Sequence, residues 1–233
     1  MPPSALGRAT PARDLTLFTI CASNYLAHAC VLGASVVQHH GMPLVVFLLD
    51  APPSGMPLPD CIEIVLAEGV FTRAEWSHRR CHYSILEFAT SVKPACFQYL
   101  FGQGASRAMY IDPDIRLFRP IDFFWHESAD TAEAELVLTP HVLTPPPDDG
   151  CMPDDLAILR AGIYNLGFAA MKDSERTREL LRWWDHKLHT LCLEDVRTGV
   201  FTDQKWMDYA PLMVPRTAVL RHCGCNTAYW NLH

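Results

Sequence analysis

The stretch that decides the fold is residues 15–50, which read LTLFTICASNYLAHACVLGASVVQHHGMPLVVFLLD. Leu15 to Cys21 is a short apolar run rich in β-forming residues, and Tyr25 to His39 carries Ala, Leu and Val at helical spacing. Gly41-Met42-Pro43 ends this helix, and Leu44 to Leu49 is a second apolar run. Strands that are apolar on both faces suit a parallel sheet covered by helices, so this strand-helix-strand unit predicts an α/β fold.

The next segments continue the pattern of strands and helices. Cys61 to Leu66 is a third expected strand. Ser84 and Glu87 form a capping-box pattern, which predicts the start of a short helix. Pro94 disfavours helical geometry in the residue before it and suits a first helical position. We therefore expect Lys93 at a break between two helices.

The second half of the chain predicts further strands around one more helix. Ala108 to Ile111, Leu136 to Thr139 and Asn165 to Met171 are apolar runs of strand length. Ile115 to Phe118 is expected to resume the extended conformation after Ile111. An amphipathic helix is expected to begin near Ser174.

Composition restricts the class of protein and its partners. The chain has 233 residues, 49% of them hydrophobic, and 19 basic against 26 acidic side chains give a net charge of −7. This length allows one large globular domain or two small ones over residues 15–233, behind a flexible tail at residues 1–13. Nucleic acid is not expected as a partner, because binding to phosphates requires clustered cations. The composition leaves the oligomeric state open.

The targeting and cysteine patterns favour a cytoplasmic protein. No uninterrupted apolar stretch is long enough for a transmembrane helix, and the first residues lack the apolar core of a secretory signal. The nine cysteines are an odd set in largely apolar contexts. Such a set is typical of buried thiols in a reducing compartment rather than of a disulfide framework.

Two carboxylates directly follow one of the expected strands. Asp112 and Asp114 flank a proline after the apolar run Met109-Tyr110-Ile111. Side chains two residues apart in an extended segment project to the same side, so both carboxylates can address one cation. Oxygen ligands favour Mn²⁺ or Mg²⁺ and leave coordination positions for substrate phosphates. The alternative is an ordinary solvated turn.

Other polar residues have both functional and structural interpretations. Lys93 at the helix break can supply positive charge to a diphosphate, or be an ordinary exposed lysine. Asn165 lies in an apolar strand, where its amide either satisfies the backbone or faces a ligand. Asp203 and Gln204 open an expected helix toward Tyr209, where an acidic residue is often only a cap, although an adjacent amide suits sugar hydroxyls.

Three segments together resemble a known family. Residues 110–114 read YIDPD, residues 164–167 read YNLG, and residues 203–206 read DQKW. Their order resembles retaining glycosyltransferases of the GT-A fold, most closely the glycogenin and lipopolysaccharide galactosyltransferase group. The segments at 111–115 and 226–233 are similar to a bacterial branch of such enzymes. The resemblance extends from about Leu15 to the end of the chain.

The resemblance implies a single Rossmann-like GT-A domain that transfers sugar from a nucleotide-sugar donor, a UDP-sugar, to a glycan or other hydroxyl acceptor with retention. It implies that Asp112 and Asp114 bind Mn²⁺ or Mg²⁺, and that Asp203 and Gln204 are catalytic, by covalent attack or by stabilising the sugar. The residues expected to contact the nucleotide-sugar are Ser23, Asn24, Tyr25, Lys93, Tyr110, Ile111, Asp112 and Asn165.

The carboxyl terminus departs from the family pattern. Such enzymes usually continue to a histidine with a nearby glycine that completes the metal site, whereas this sequence stops at His233. Either His233 is the third ligand or a carboxyl-terminal segment is missing, and we expect the latter. A non-catalytic nucleotide-sugar or glycan-binding module is therefore an alternative. An Asp-x-Asp phosphatase is a weaker one, because Arg116 stands where that class usually has threonine.

Overall fold

A computed structural model of the chain describes residues 14–52, 55, 57–126 and 129–231. The expected tail at 1–13 and the expected metal ligand His233 lie outside these residues. Across the described part of the chain, no helix combines the length and apolar character that crossing a membrane requires.

Nine strands form two sheets in the described residues. In chain order they are β1 (Leu15–Cys21), β2 (Leu44–Leu48), β3 (Ile62–Leu66), β4 (Arg107–Ile111), β5 (Leu136–Pro140), β6 (Tyr164–Lys172), β7 (Glu194–Asp195), β8 (Val200–Phe201) and β9 (Thr217–Val219). The main sheet has seven strands in the order β3-β2-β1-β4-β6-β5-β9, and β7 pairs with β8 alone.

The helices lie between these strands. They are α1 (Leu26–His40), α2 (Arg73–His82), α3 (Ile85–Ser91), α4 (Lys93–Gly102), α5 (Ala129–Ala132), α6 (Asp155–Ala161), α7 (Glu175–Leu188) and α8 (Ala210–Met213). Short 3₁₀ helices add Ser23–Tyr25, Ala67–Val70, Asp122–Trp125, Lys205–Tyr209 and Tyr229–Asn231.

Most strand pairs of the main sheet are parallel, which confirms the α/β fold class. β3, β2, β1 and β4 run parallel to one another, and β5 and β9 form a second parallel pair. β6 runs antiparallel to both β4 and β5 and lies between them. The carboxyl ends of β1, β2 and β4 therefore meet at one edge of the sheet, where open α/β sheets bind ligands.

The core has two layers, one on each face of the sheet. Phe18 of β1 packs edge-to-face against Phe47 and Phe97, with ring centroids 5.6 and 4.7 Å away, in the layer that α4 and α7 cover. Leu17, its neighbour on β1, belongs to the opposite layer, which α1 covers with residues such as Leu32. This burial on both faces explains why the first strands read as uninterrupted apolar runs.

The local predictions for the middle of the chain have mixed outcomes. The capping box is confirmed: Ser84 accepts from the Glu87 backbone and Glu87 accepts from the Ser84 backbone. The break between the two helices is confirmed but falls at Val92, one residue before the expected Lys93, which is the first residue of α4. The expected extended segment Ile115 to Phe118 is wrong, because the chain turns after β4 and Ile115 donates to the Asp112 carbonyl at 3.2 Å.

Candidate functional site

A short turn after β1 is anchored to the end of β2. The backbone N–H and the Oγ of Ser23 donate to the two carboxylate oxygens of Asp50, at 2.8 and 2.7 Å. This pair fixes the 3₁₀ helix that carries Asn24 and Tyr25, both of them exposed. Sequence reasoning missed Asp50, although a carboxylate directly after an apolar run marks the carboxyl end of a strand.

Tyr25 presents an aromatic surface beside this turn. Its side chain is 45% exposed and stacks on His28, with ring centroids 5.0 Å apart and an interplanar angle of 29°. Exposed rings of this kind offer a face on which a planar group can stack.

Asp112 lies half-buried at the end of β4, where neighbouring groups fix its position. The Tyr110 hydroxyl donates to Asp112 Oδ1 at 2.6 Å, and the Asp112 backbone N–H donates to the Gly167 carbonyl at 2.8 Å. Gly167 lets the carboxylate approach, because a Cβ at that position would lie 2.9 Å from Asp112 Oδ2. The space beside Oδ2 thus depends on a glycine.

The charges around Asp112 change its proton affinity. Burial raises the pKa of this carboxyl above its ordinary value, and the negative charges of Asp114 and Asp203 raise the pKa further, against Lys93 and the Tyr110 hydroxyl. Asp114 is exposed and lies in the turn that Ile115 closes on the Asp112 carbonyl, so the extended conformation expected for the Asp112–Asp114 pair is wrong. The negative charges of Asp114 and Asp203 thus reach Asp112 at this edge of the sheet.

Lys93 is buried among these groups and ties several segments together. It is 1% exposed, and its Nζ lies 2.6 Å from Asp203 Oδ2. The same ammonium donates to the Leu166 carbonyl at 2.9 Å and lies 4.1 Å from the centroid of the Tyr110 ring. The alternative interpretation of Lys93 as an ordinary exposed lysine is therefore wrong. The contacts of its Nζ are with Asp203, Leu166 and Tyr110 of the protein itself.

An irregularity in β6 brings backbone carbonyls to these side chains. β5 pairs Leu138 with Ala169 but the next residue, Thr139, with Asn165, so three residues of β6 have no partner on β5 at this point. The carbonyls of two of them, Leu166 and Gly167, accept from Lys93 and from the Asp112 backbone. Bulges of this kind commonly occur next to active sites, where they redirect a strand.

Asn165 helps to shape this bulge. Its Oδ1 accepts from the Gly167 backbone N–H at 2.9 Å, and its own carbonyl accepts from the Thr139 hydroxyl at 3.3 Å. The side-chain oxygen thus satisfies the backbone, and no protein acceptor for Nδ2 occurs among the described residues. Of the two roles that the sequence left open, the structure shows the one toward the backbone; contact of the amide nitrogen with a ligand stays a prediction.

Asp203 follows a turn with unusual backbone geometry. Thr202 has a φ of +44°, a left-handed conformation that is uncommon for a β-branched residue. The Thr202 hydroxyl donates to Asp203 Oδ1 at 3.2 Å, and the Trp184 indole N–H donates to the Asp203 carbonyl at 3.0 Å. Asp203 is 2% exposed, so it is a buried partner of Lys93 rather than a helix cap.

Gln204 faces a different segment from its neighbour Asp203. Its Nε2 donates to the Ala161 carbonyl at 3.0 Å. Gly162, with a φ of +113°, lets these backbones pack closely, since its Cβ would lie 3.3 Å from Lys205 Cα. The expected helix here is a 3₁₀ helix over Lys205–Tyr209, which α8 then extends.

The cluster carries an excess of negative charge. One buried ammonium, that of Lys93, faces Asp203 and Asp112, and Asp114 adds a third carboxylate nearby. Within the described ranges, no group of three His, Cys, Asp or Glu side chains is arranged to hold a metal ion. Two carboxylates still suit Mg²⁺ or Mn²⁺ when substrate phosphates and water complete the coordination. The donor set therefore fits a divalent cation that is shared with a phosphate ligand.

Solved structures with the same architecture include two glycosyltransferases. Galactosyltransferase LgtC, in complex with donor and acceptor sugar analogues, superposes with a TM-score of 0.50 at 15% identity, over 91% of this chain and 84% of that one. Bifunctional glycosyltransferase WbbM superposes with a TM-score of 0.51 at 13% identity, over 93% of this chain and 40% of that one. The chain has the GT-A glycosyltransferase fold. This confirms the fold that the motif order predicts.

Comparison of sequences finds a distant relative of this chain. The uncharacterized protein YfnF of Bacillus subtilis (strain 168) is 24% identical over 147 residues, which are 62% of this chain and 47% of the relative. The matched region thus spans about half the length of that protein. No profile of a known protein family matches the chain.

On the GT-A fold, the residues singled out in the sequence come from five separate segments of the described chain, and most of them converge. Tyr110, Asp112, Lys93 and Asp203 form one buried network, and the bulge that carries Asn165 borders it. Ser23–Tyr25 follow β1, which pairs directly with β4.

Proposed function

We propose that this chain is a metal-dependent glycosyltransferase that moves a sugar from a UDP-sugar to a hydroxyl of a glycan or similar acceptor, with retention of anomeric configuration. The observation that carries this proposal is the cluster at the carboxyl edge of the sheet, where Lys93 meets two of three neighbouring carboxylates. The GT-A fold supports the same reaction class.

In this proposal the donor lies along the carboxyl ends of β1 and β4. The turn at Ser23–Tyr25, which Asp50 anchors, receives the nucleoside, and the Tyr25 ring offers a stacking face. Asp112 and Asp114 hold Mn²⁺ or Mg²⁺ against the diphosphate. When bound, the metal stabilises the negative charge that accumulates on the departing diphosphate.

The protein groups around Asp112 prepare it for this role. Tyr110 occupies Oδ1 as a hydrogen-bond donor, while Gly167 leaves room beside Oδ2. Because the pKa of Asp112 is raised, its carboxyl loses its proton to solvent, as binding of a cation would require, at a higher pH than an ordinary aspartate does.

Asp203 and Gln204 differ in what they can offer the sugar. Both oxygens of Asp203 are engaged, Oδ2 by Lys93 and Oδ1 by the Thr202 hydroxyl, which favours a fixed negative charge over covalent attack. Gln204 uses its amide nitrogen on Ala161, and no protein donor to its Oε1 occurs in the described part of the chain. We therefore assign Gln204 to the sugar hydroxyls and Asp203 to stabilising positive charge at the anomeric centre.

Calorimetry with UDP and Mn²⁺ tests the donor site. We expect UDP binding that requires the metal, and a loss of at least about ten-fold in affinity for Asp112→Asn and for Asp114→Asn, because each removes a charged ligand. Asp60→Asn, at an exposed turn, is the matched control and should bind as the unmodified chain does. UDP binding that ignores the metal or both ligand variants would refute the site.

A panel of UDP-sugars with simple hydroxyl acceptors tests the reaction. Transfer or slow hydrolysis establishes an enzyme, and NMR of the product's anomeric proton establishes the stereochemistry. An inverted product would contradict retention. Metal-dependent UDP binding without turnover would favour the non-catalytic binding module. A site with two carboxylates, and no group of three candidate metal ligands among the described residues, suits such a module.

We also propose a reducing compartment, the cytoplasm, for this chain. All nine cysteines are free thiols in the structure. Burial raises the pKa of Cys21 to about 12, and it raises that of Cys96 as well, so these thiols are inert. A disulfide in protein isolated from its native cells without reductant would contradict this assignment.

A further inference from the structure

A small cavity opens at the same edge of the sheet, beyond the cluster around Asp112. It encloses about 200 Å³ between the carboxyl ends of β5 and β9 and the start of β6. Its lining consists of Pro140, Val142, Leu143, Ile163, Tyr164, Val219 and Arg221. This volume is below the roughly 300–1,000 Å³ of drug-sized sites, so it suits a body about the size of one ring.

The segment that follows β9 holds the wall of this cavity in place. The Leu220 backbone N–H donates to the Leu138 carbonyl at 2.8 Å. Farther along, the side-chain amides of Asn226 and Asn231 donate to the carbonyls of Pro140 and His141, at 2.9 and 3.0 Å. The cavity is thus built by backbone and amide contacts rather than by a loose surface loop.

Two residues of the cavity lining are next in the chain to segments that carry or contact the proposed site residues. Tyr164 on its wall precedes Asn165, and Ile163 follows Gly162, which packs against the backbone of Gln204 and Lys205. A molecule seated here would lie beside Gln204 and the bulge of β6. This is where an acceptor hydroxyl must approach if the donor lies over Asp112.

Most of the side-chain types that line the cavity are apolar, polar atoms make up about half of its surface, and Arg221 is the one cation among its lining residues. Arg221 is exposed, and no carboxylate pairs with it among the described residues. Asp208, whose negative charge adds to burial in raising the pKa of Tyr164, is already compensated: Lys205 lies 2.8 Å from it, and the Ile163 backbone N–H donates to it at 3.1 Å. An unpaired guanidinium beside apolar side chains favours an anion next to an apolar or ring-shaped body.

We propose that this cavity is the acceptor subsite and that it selects an acceptor carrying an anionic group, a carboxylate or a phosphate, which Arg221 binds. The ring of the acceptor packs against Tyr164 and Val219. The inference rests on the proposed glycosyltransferase function and adds the chemical class of its acceptor. Arg221 is a specificity residue, because it contacts the anionic group rather than the reacting atoms.

The test compares ligands that differ only in charge. Saturation-transfer NMR is run on the chain with UDP and Mn²⁺, with p-nitrophenyl β-glucuronide against p-nitrophenyl β-glucoside, and with glucose 6-phosphate against glucose. We expect the anionic member of at least one pair to bind about ten-fold more tightly, as a charge-assisted contact implies. The pair that shows the preference tells a carboxylate from a phosphate.

Two variants make the result specific to the cavity. Arg221→Gln should remove the preference for the anion while UDP still binds with metal. Arg216→Gln is the matched control, because Arg216 is exposed on the same segment but lies 4.0 Å from Glu133 and does not line the cavity. Equal binding within both ligand pairs, or a preference that survives Arg221→Gln, would overturn the proposal.

Calorimetry with UDP and Mn²⁺ on the same samples separates this inference from the proposed function. If UDP binds with metal but charge in the acceptor has no effect, the inference fails and the donor site stands. If the anionic glycosides bind but UDP does not, the cavity is not an acceptor subsite and both proposals fail.

Discussion

Two buried cations in this chain meet their carboxylates in contrasting surroundings. Arg79 and Lys93 are each 1% exposed, and each lies within 2.7 Å of an aspartate oxygen. Arg79 also donates to the carbonyls of Ser91 and Leu188, at 2.7 and 3.1 Å. It thereby joins α2 to the ends of α3 and α7, and its contacts are those of a structural cross-link.

Lys93 has a different balance of charge. Its partner Asp203 is only one of the carboxylates near it, because Asp112 and Asp114 belong to the same electrostatic cluster. Arg79 and its partners hold helices together. Around Lys93, by contrast, the carboxylates outnumber the single ammonium, so negative charge remains. Under the proposed function, the first site serves the stability of the fold and the second binds the ligand.

Removing Arg79 should have the largest effect on stability. Arg79→Met leaves Asp185 and two carbonyls without their donor, so we expect the free energy of unfolding to fall by about 3–5 kcal/mol. Urea denaturation followed by tryptophan fluorescence measures it. Arg80→Met, at the exposed neighbouring position, should change it by no more than about 0.5 kcal/mol. A loss under 1 kcal/mol in Arg79→Met would show that this pair is not a cross-link.

Lys93→Met should destabilise the chain by about 3 kcal/mol at neutral pH, because it leaves Asp203 buried without its cation. The double variant Lys93→Met/Asp203→Asn should recover part of the loss, in a cycle read by the same denaturation. No recovery would mean that the lysine stabilises mainly through Leu166 and Tyr110.

Gly167→Ala should damage the ligand site by crowding it. The new Cβ would lie 2.8 Å from Asn165 Oδ1 and 2.9 Å from Asp112 Oδ2, so one of them must move, at a cost of about 1–3 kcal/mol. Metal-dependent UDP affinity should fall several-fold by calorimetry. Gly102→Ala, where no atom lies within 4 Å of the added Cβ, is the control. Unchanged UDP affinity would place the metal elsewhere.

Asp112→Asn should have the smallest effect on the free energy of unfolding. Unlike the other variants, it should stabilise the chain. The folded-state pKa of Asp112 is raised, so its contribution to stability is full below the unfolded pKa and is lost as the pH rises through the folded pKa. Asparagine does not ionise, so without metal the variant should gain in stability over the unmodified chain as the pH rises through that window. Thermal unfolding of both proteins at several pH values measures this difference. A variant that loses stability relative to the unmodified chain as the pH rises would contradict the prediction.

The elements that sequence patterns predict correctly are those with local causes. The apolar runs at Leu15–Cys21 and Leu44–Leu48 and the Ser84–Glu87 capping box each follow from neighbouring residues. The insertion of β6 between β4 and β5, antiparallel to both, was not predicted. Strand order depends on contacts between distant segments, which an apolar run does not encode.

The candidate site shows the same division. The pairing of Tyr110 with Asp112 follows from two positions on one strand, and the carboxylate motif is visible in the sequence. The contact of Asp50 with Ser23, the left-handed backbone of Thr202 and the bulge of β6 were missed. Each of these depends on a partner or a strain that only the folded chain supplies.

The sequence by itself determined the α/β class, the order of the motifs and the residue types that can bind a cation and a sugar. The burial of Lys93 against Asp203 and the space that Gly167 leaves beside Asp112 follow from the tertiary structure. So does the small cavity at the same edge of the sheet, which Arg221 lines. The physical reason is range: hydrophobic periodicity and capping act over a few residues, whereas burial and charge coupling join residues that are distant in the chain.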